Sequence, residues 1–145
     1  MPNPTALKFA WPRSRIAETA SWTVQLRPKQ PTFGSLVVVC KEPVTAFSAL
    51  SPQAFAELRD ITIGVERLLK ATVDYQRLNW LMLMMVDPDV HFHVIPRYEG
   101  VRHWDGLTFT DAGWPNPPAL TEAVSLDDGR LAQLAAEWAA AWQAR

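Results

Sequence analysis

Residues 89–95 read Asp89-Val90-His91-Phe92-His93-Val94-Ile95, an alternation of polar and apolar side chains with a period of two. Residues two apart on a β-strand share a face. Asp89, His91 and His93 are therefore expected side by side on one face, with Val90, Phe92 and Val94 turned to a core. The chain holds three histidines, and two of them lie here. An unpaired polar group beside a core costs on the order of a few kcal/mol, so a run of three points to a site rather than to a solvated strand face.

Upstream, Asp87-Pro88 makes a bend, and Asn79 to Val86 shows no alternation, which predicts a central strand covered on both faces and paired antiparallel with the histidine strand. Ser51 opens a helix: it is the N-cap, Pro52 takes the first helical position, and Leu50 is placed to staple onto Phe55. Phe55, Leu58, Thr62, Val65 and Leu69, joined by Ile61 and Leu68, form its apolar stripe to about Val73. Gly64 inside that helix costs about 1 kcal/mol relative to Ala and is expected to allow close packing on the sheet. Leu36 to Cys40 reads as a buried strand. Ser21 to Leu26 alternates, with Trp22, Val24 and Leu26 on one face. Residues 1–20 read as an extended arm ending in a short turn or helix, and Gly100 to Pro118 as loop. Asp127 or Asp128 caps a last helix with Leu131, Leu134, Trp138 and Trp142 along one side. Strands gathered around one long helix predict an α+β fold with a mainly antiparallel sheet.

The segment from Pro88 through Asp89-Val90-His91-Phe92-His93-Val94-Ile95 to Pro96-Arg97 resembles the signature of the histidine triad (HIT) family, in which three histidines alternate with apolar residues. Asp89 stands at the first triad position, His91 at the middle one and His93 at the third. A second block, Gly34-Ser35-Leu36-Val37-Val38-Val39-Cys40-Lys41-Glu42-Pro43-Val44 followed by Phe47, is similar to the family's Gly-His-apolar strand and the turn after it, in its fragile-histidine-triad branch. The resemblance covers about residues 20–98. It implies a single HIT-like domain over 1–145, with the core at about 20–98 and a C-terminal loop and helix over 99–145.

An imidazole is a good nucleophile toward phosphorus because its neutral form is basic near pH 7 and carries a free lone pair. The resemblance implies that His91 attacks the α-phosphorus of a nucleotide, forming a nucleotidyl-histidine that water hydrolyses, and that His93 contacts the phosphate or the leaving group. Asp89 either supports a protonated histidine or serves as a structural partner. Asn79, Arg27 and Arg97 are candidate nucleotide-binding residues, with Lys29 beside Arg27; Arg97 has the alternative of pairing with a carboxylate. His103-Trp104 could stack on a base or lie in an exposed loop. Two readings stand beside hydrolysis: a nucleotide-binding module with little turnover and, ranked well below, a metal site built from His91, His93 and Asp89. Three same-face strand residues, spaced about 7 Å per two steps, are too spread for easy tridentate binding. No metal or cofactor is expected.

The 145 residues suffice for one domain with a real core. A net charge of −1 provides no basic field for gripping nucleic acid polymers, so the expected partner is a small-molecule nucleotide. The single cysteine, Cys40, excludes an internal disulfide and reads as a buried structural thiol. The longest apolar stretch, Trp80 to Val86, is far short of a membrane span, and Met1-Pro2-Asn3-Pro4 does not resemble a secretion signal; a cytoplasmic protein without membrane contact is expected. Seven tryptophans, two of them on the last helix, exceed what so small a core readily hides. This suggests an interface, and the family resemblance likewise implies a homodimer.

Overall fold

The structure, a computed structural model, describes residues 2–144. Its elements run α1 (Pro4–Lys8), β1 (Arg15–Glu18), β2 (Trp22–Leu26), β3 (Lys29–Gln30), β4 (Leu36–Cys40), a 3-10 turn (Phe47–Ala49), α2 (Pro52–Thr72), β5 (Arg77–Leu81), β6 (His91–Arg97), β7 (Val101–Trp104), β8 (Leu107–Thr110), β9 (Val124–Ser125) and α3 (Asp128–Gln143). Five strands form one antiparallel sheet in the order β1-β2-β4-β6-β5. The fold is α+β, as expected.

One face of this sheet carries the main core. Trp22, Val24 and Leu26 of β2, Leu36 and Val38 of β4, and Val94 of β6 are shut off from solvent, and the buried faces of α2 and α3 lie against them. α2 starts as its sequence dictates, with the Ser51 hydroxyl accepting a hydrogen bond from the Ala54 amide at 3.1 Å. Its buried stripe is Ala54, Ile61, Gly64, Val65, Leu68 and Leu69. Phe55 lies outside that stripe, its ring 5.6 Å from that of Phe47. Gly64 serves a helix–helix contact rather than a helix–sheet one: a Cβ there would lie 2.4 Å from the Trp142 ring of α3. Asp127 caps α3, and Leu131, Leu134, Trp138 and Trp142 are all buried. Trp138 meets the edge of Phe33 at 5.5 Å. The two tryptophans thus belong to the protein's own core and lend no support to an interface.

Four other expectations change. Residues 1–20, expected as an extended arm ending in a short turn or helix, instead begin with the helix α1 and end in the sheet strand β1, paired with β2. The strand predicted over Asn79–Val86 is an edge strand, not a central one; it ends at Leu81, and Met85 and Val86 are 87% and 83% exposed. An unbroken apolar run reads as a covered strand, yet these residues lie in the connection to β6. Asp89 stands in a bend just before β6 rather than on it, because the strand begins at His91. The segment expected as loop over Gly100–Pro118 contains the hairpin β7–β8, turned at Asp105-Gly106 with φ of 50° and 76°.

The opposite face of the sheet positions the site. Register places Gln25, Val37, His93 and Leu81 in one row across it. The N-terminal arm lies over this row: Ala6 and Phe9 pack with Val37 and Val39 in a second, smaller core. The Gln25 amide donates to the carbonyls of Ala6 and Phe9 at 3.0 and 3.2 Å, which fixes the arm from below.

Candidate active site

A cleft of about 430 Å³ opens between the arm and the β5–β6 connection. Lys8 and Phe9 of the arm form one side, Arg27, Pro28 and Lys29 after β2 a second, and Leu83 to Asp87 a third, with His91 and His93 of β6 between them. The two imidazoles stand 5.1 Å apart at 80° to each other. Arg27, expected from the sequence, is brought beside them, and Lys29 joins it. Lys8, Phe9, Leu83 and Asp87 had no signal in the sequence: an arm residue some eighty positions away reaches the site only through the tertiary fold.

The partners of each ring set its proton. His91 is buried, with Nδ1 2.6 Å from the Asp89 carbonyl. A carbonyl only accepts, so Nδ1 is the donor, and in the neutral ring Nε2 carries the lone pair. His93 has the opposite arrangement. Its Nδ1 lies 3.4 Å from Arg27 Nη1, and a guanidinium only donates. Nδ1 of His93 is therefore the acceptor, and its proton sits on Nε2. Two adjacent imidazoles thus present a base or nucleophile and a hydrogen-bond donor.

Burial pushes the His93 pKa down from the ordinary 6.5 to about 4, with the Arg27 charge acting in the same direction. The unfolded chain takes up this proton first, so the folded state loses stability as pH falls from about 6.5 toward 4. Allowing for solvent at the exposed part of the ring, the loss is about 1–2 kcal/mol. Urea unfolding at pH 7.5 and pH 4.5 is expected to show it, and the difference should shrink in a His93→Gln variant. An identical pH dependence in the variant would refute the assignment.

Arg27 is itself strained electrostatically. Burial lowers its pKa, its Nε is buried without a hydrogen-bond partner, and its charge lies 5.7 Å from the centre of the Phe9 ring. Phe9 in turn meets His93 edge-on at 5.8 Å.

The Asp89 carboxylate accepts a hydrogen bond from the Thr5 hydroxyl of the arm at 2.7 Å, while its carbonyl holds His91. Asn79 and Arg97 lie outside the lining of the cleft and bond to each other at 2.9 Å. Arg97 also makes a two-pronged pair with Asp111, at 2.7 and 3.0 Å. His103 bonds to Thr108 in the β7–β8 hairpin. Among the described residues, no group of three or more His, Cys, Asp or Glu side chains is placed to hold a metal ion, and no helix is long and apolar enough to cross a membrane.

No protein-family model matches the sequence, and no curated protein does. Solved structures match. A histidine triad protein from Bradyrhizobium japonicum superposes with a TM-score of 0.72 at 19% identity, covering 95% of this chain and 94% of that one. One from Sinorhizobium meliloti gives 0.72 at 20% identity, covering 95% and 93%. The chain has the histidine triad (HIT) fold. A diadenosine triphosphate hydrolase from Plasmodium falciparum shares the HIT fold at a TM-score of 0.67 and 9% identity, covering 92% of this chain and 79% of that one.

Proposed function

We propose that the protein binds a nucleotide in the cleft beside His91 and His93 and hydrolyses it at the α-phosphorus. The observation that carries this reading is the contrast between the Nδ1 partners of the two rings, a carbonyl for His91 and a guanidinium for His93. His91 Nε2 has the lone pair an attacking atom needs, and His93 Nε2–H has the proton that a phosphoryl oxygen or departing group needs. Arg27 stands behind His93 and supplies positive charge. Attack by His91 forms an N–P bond as the bond from phosphorus to the leaving group breaks; water then cleaves the N–P bond and frees the nucleoside monophosphate. A HIT-fold neighbour that hydrolyses diadenosine triphosphate is consistent with this chemistry. The test is to incubate the protein with adenosine phosphoramidate and diadenosine triphosphate and to search for AMP release and an adenylylated His91 by mass spectrometry. A protein that neither binds nor cleaves either compound would refute the proposal.

A second reading, a nucleotide-binding module with little turnover, draws on the apolar lip formed by Leu83, Met85 and Val86, which offers a phosphate no side-chain donor. AMP binding without any turnover would favour it.

The same reading includes a homodimer, for a reason other than the two tryptophans of α3. β5 is an edge strand, with backbone groups free to pair. Aromatic side chains adjoin it: Trp80 of β5 and the exposed Phe47 both meet Phe92, each at 5.8 Å, and Phe47 continues to Phe55. The occupant is a second copy pairing through β5. Sedimentation at micromolar concentration is expected to give twice the 16.3 kDa chain mass; a clean monomer would exclude it.

A further inference from the structure

Lys8 and Asp87 face each other across the mouth of the cleft, 2.8 Å apart, and both line it. We propose that Lys8 is a ligand-binding residue held in reserve by Asp87, and that it selects ligands carrying a second anionic group beyond the α-phosphate. This inference rests on the nucleotide reading above and extends it to a residue and a ligand class.

The first argument is that the Lys8–Asp87 pair is not needed to seat the arm. Asn3 Nδ2 donates to the Cys40 carbonyl at 2.8 Å, Thr5 holds Asp89, and Gln25 holds two arm carbonyls. Ala6 and Phe9 are buried against Val37 and Val39. The ion pair, by contrast, is exposed, with side-chain exposures of 49% for Lys8 and 20% for Asp87. Such a pair contributes little to stability, so exchanging its carboxylate for another anion costs the fold little.

The second argument is the charge of the cleft. Its lining carries three cations, Lys8, Arg27 and Lys29, against the single carboxylate of Asp87, in a chain of net charge −1. Arg27 is already committed to His93. Lys8 lies one residue from Phe9, its Nζ 5.7 Å from that ring, and Phe9 touches His93. The ammonium is therefore a near neighbour of the group proposed to meet the α-phosphate, on the mouth side, where the rest of the ligand would lie. A lysine tethered by a carboxylate is already oriented, so a ligand phosphate that takes it over meets a smaller ordering cost.

The two partners can be told apart by the sign of their effects. Binding of AMP and ADP is measured by calorimetry for the parent protein, Lys8→Ala and Asp87→Asn, with thermal melts to verify folding. For Lys8→Ala the affinity for ADP is expected to fall about tenfold, while that for AMP stays within about twofold. Asp87→Asn frees the ammonium, and ADP is expected to bind about threefold more tightly. If both variants weaken ADP, the ion pair only holds the arm and the inference is overturned. If neither changes ADP while the parent binds AMP, Lys8 is not a ligand contact and the inference alone fails. If the parent binds neither nucleotide, the functional reading falls, and this inference with it.

Discussion

His91→Ala is expected to lose turnover of adenosine phosphoramidate by about a thousandfold or more, because removal of a nucleophile leaves only positioning and electrostatics to act. AMP affinity should change far less, since the cations and the Phe9 ring of the cleft remain. The imidazole is buried and its Nδ1 is bonded to the Asp89 carbonyl, so alanine also leaves a cavity and an unsatisfied acceptor. His91→Asn controls for this: its side-chain amide can still donate to that carbonyl but has no ring lone pair. Both variants should be inactive and both should bind AMP. Turnover retained in either would remove His91 from the nucleophile role. His93→Ala is expected to be milder, about a hundredfold, because it removes a donor to the developing charge rather than the attacking atom.

What could be foreseen in the sequence follows the range of the interactions. The alternation at His91-Phe92-His93-Val94 and the Ser51-Pro52 helix start are local, and both appear as written. The β7–β8 hairpin lies in a segment that reads as loop because of its glycines and prolines; its one local signal is the Asp105-Gly106 turn. The Leu81–Val86 region misled for a physical reason. Apolarity reports what a residue gains on burial, not whether this fold buries it, and here the run forms the lip of a cleft. Asp89 was the least decipherable position. Next to two histidines it reads either as their acid partner or as a structural one; its carboxylate serves Thr5, 84 residues earlier in the chain, and only its backbone serves His91. The contacts of Lys8 with Asp87 and of Phe9 with His93 are of the same kind, set by where the arm docks.

The largest expected effect on stability lies away from the cleft. Arg97 and Asp111 are both nearly inaccessible, with side-chain exposures of 5% and 1%. The guanidinium makes four hydrogen bonds, to both carboxylate oxygens of Asp111, the Asn79 side chain and the Asn116 carbonyl, the last at 2.7 Å. Asp111 also accepts from the Tyr98 amide at 3.3 Å, so it ties the end of β6 to the segment after β8. Removing one member of a buried pair strands the other charge, at a cost of about 3–5 kcal/mol. That is a large share of the roughly 5–15 kcal/mol that holds a typical protein together. Asp111→Ala should therefore move the urea midpoint down by roughly 2 M, if the chain folds at all. The double replacement Arg97→Met with Asp111→Leu should recover much of that loss, because two apolar side chains leave no charge unpaired. The double variant also decides the part Arg97 plays in binding. With its bonds spent on Asp111, Asn79 and Asn116, its removal should leave AMP affinity within about twofold. A fall of tenfold or more in a folded double variant would instead place Arg97 among the groups that hold the nucleotide.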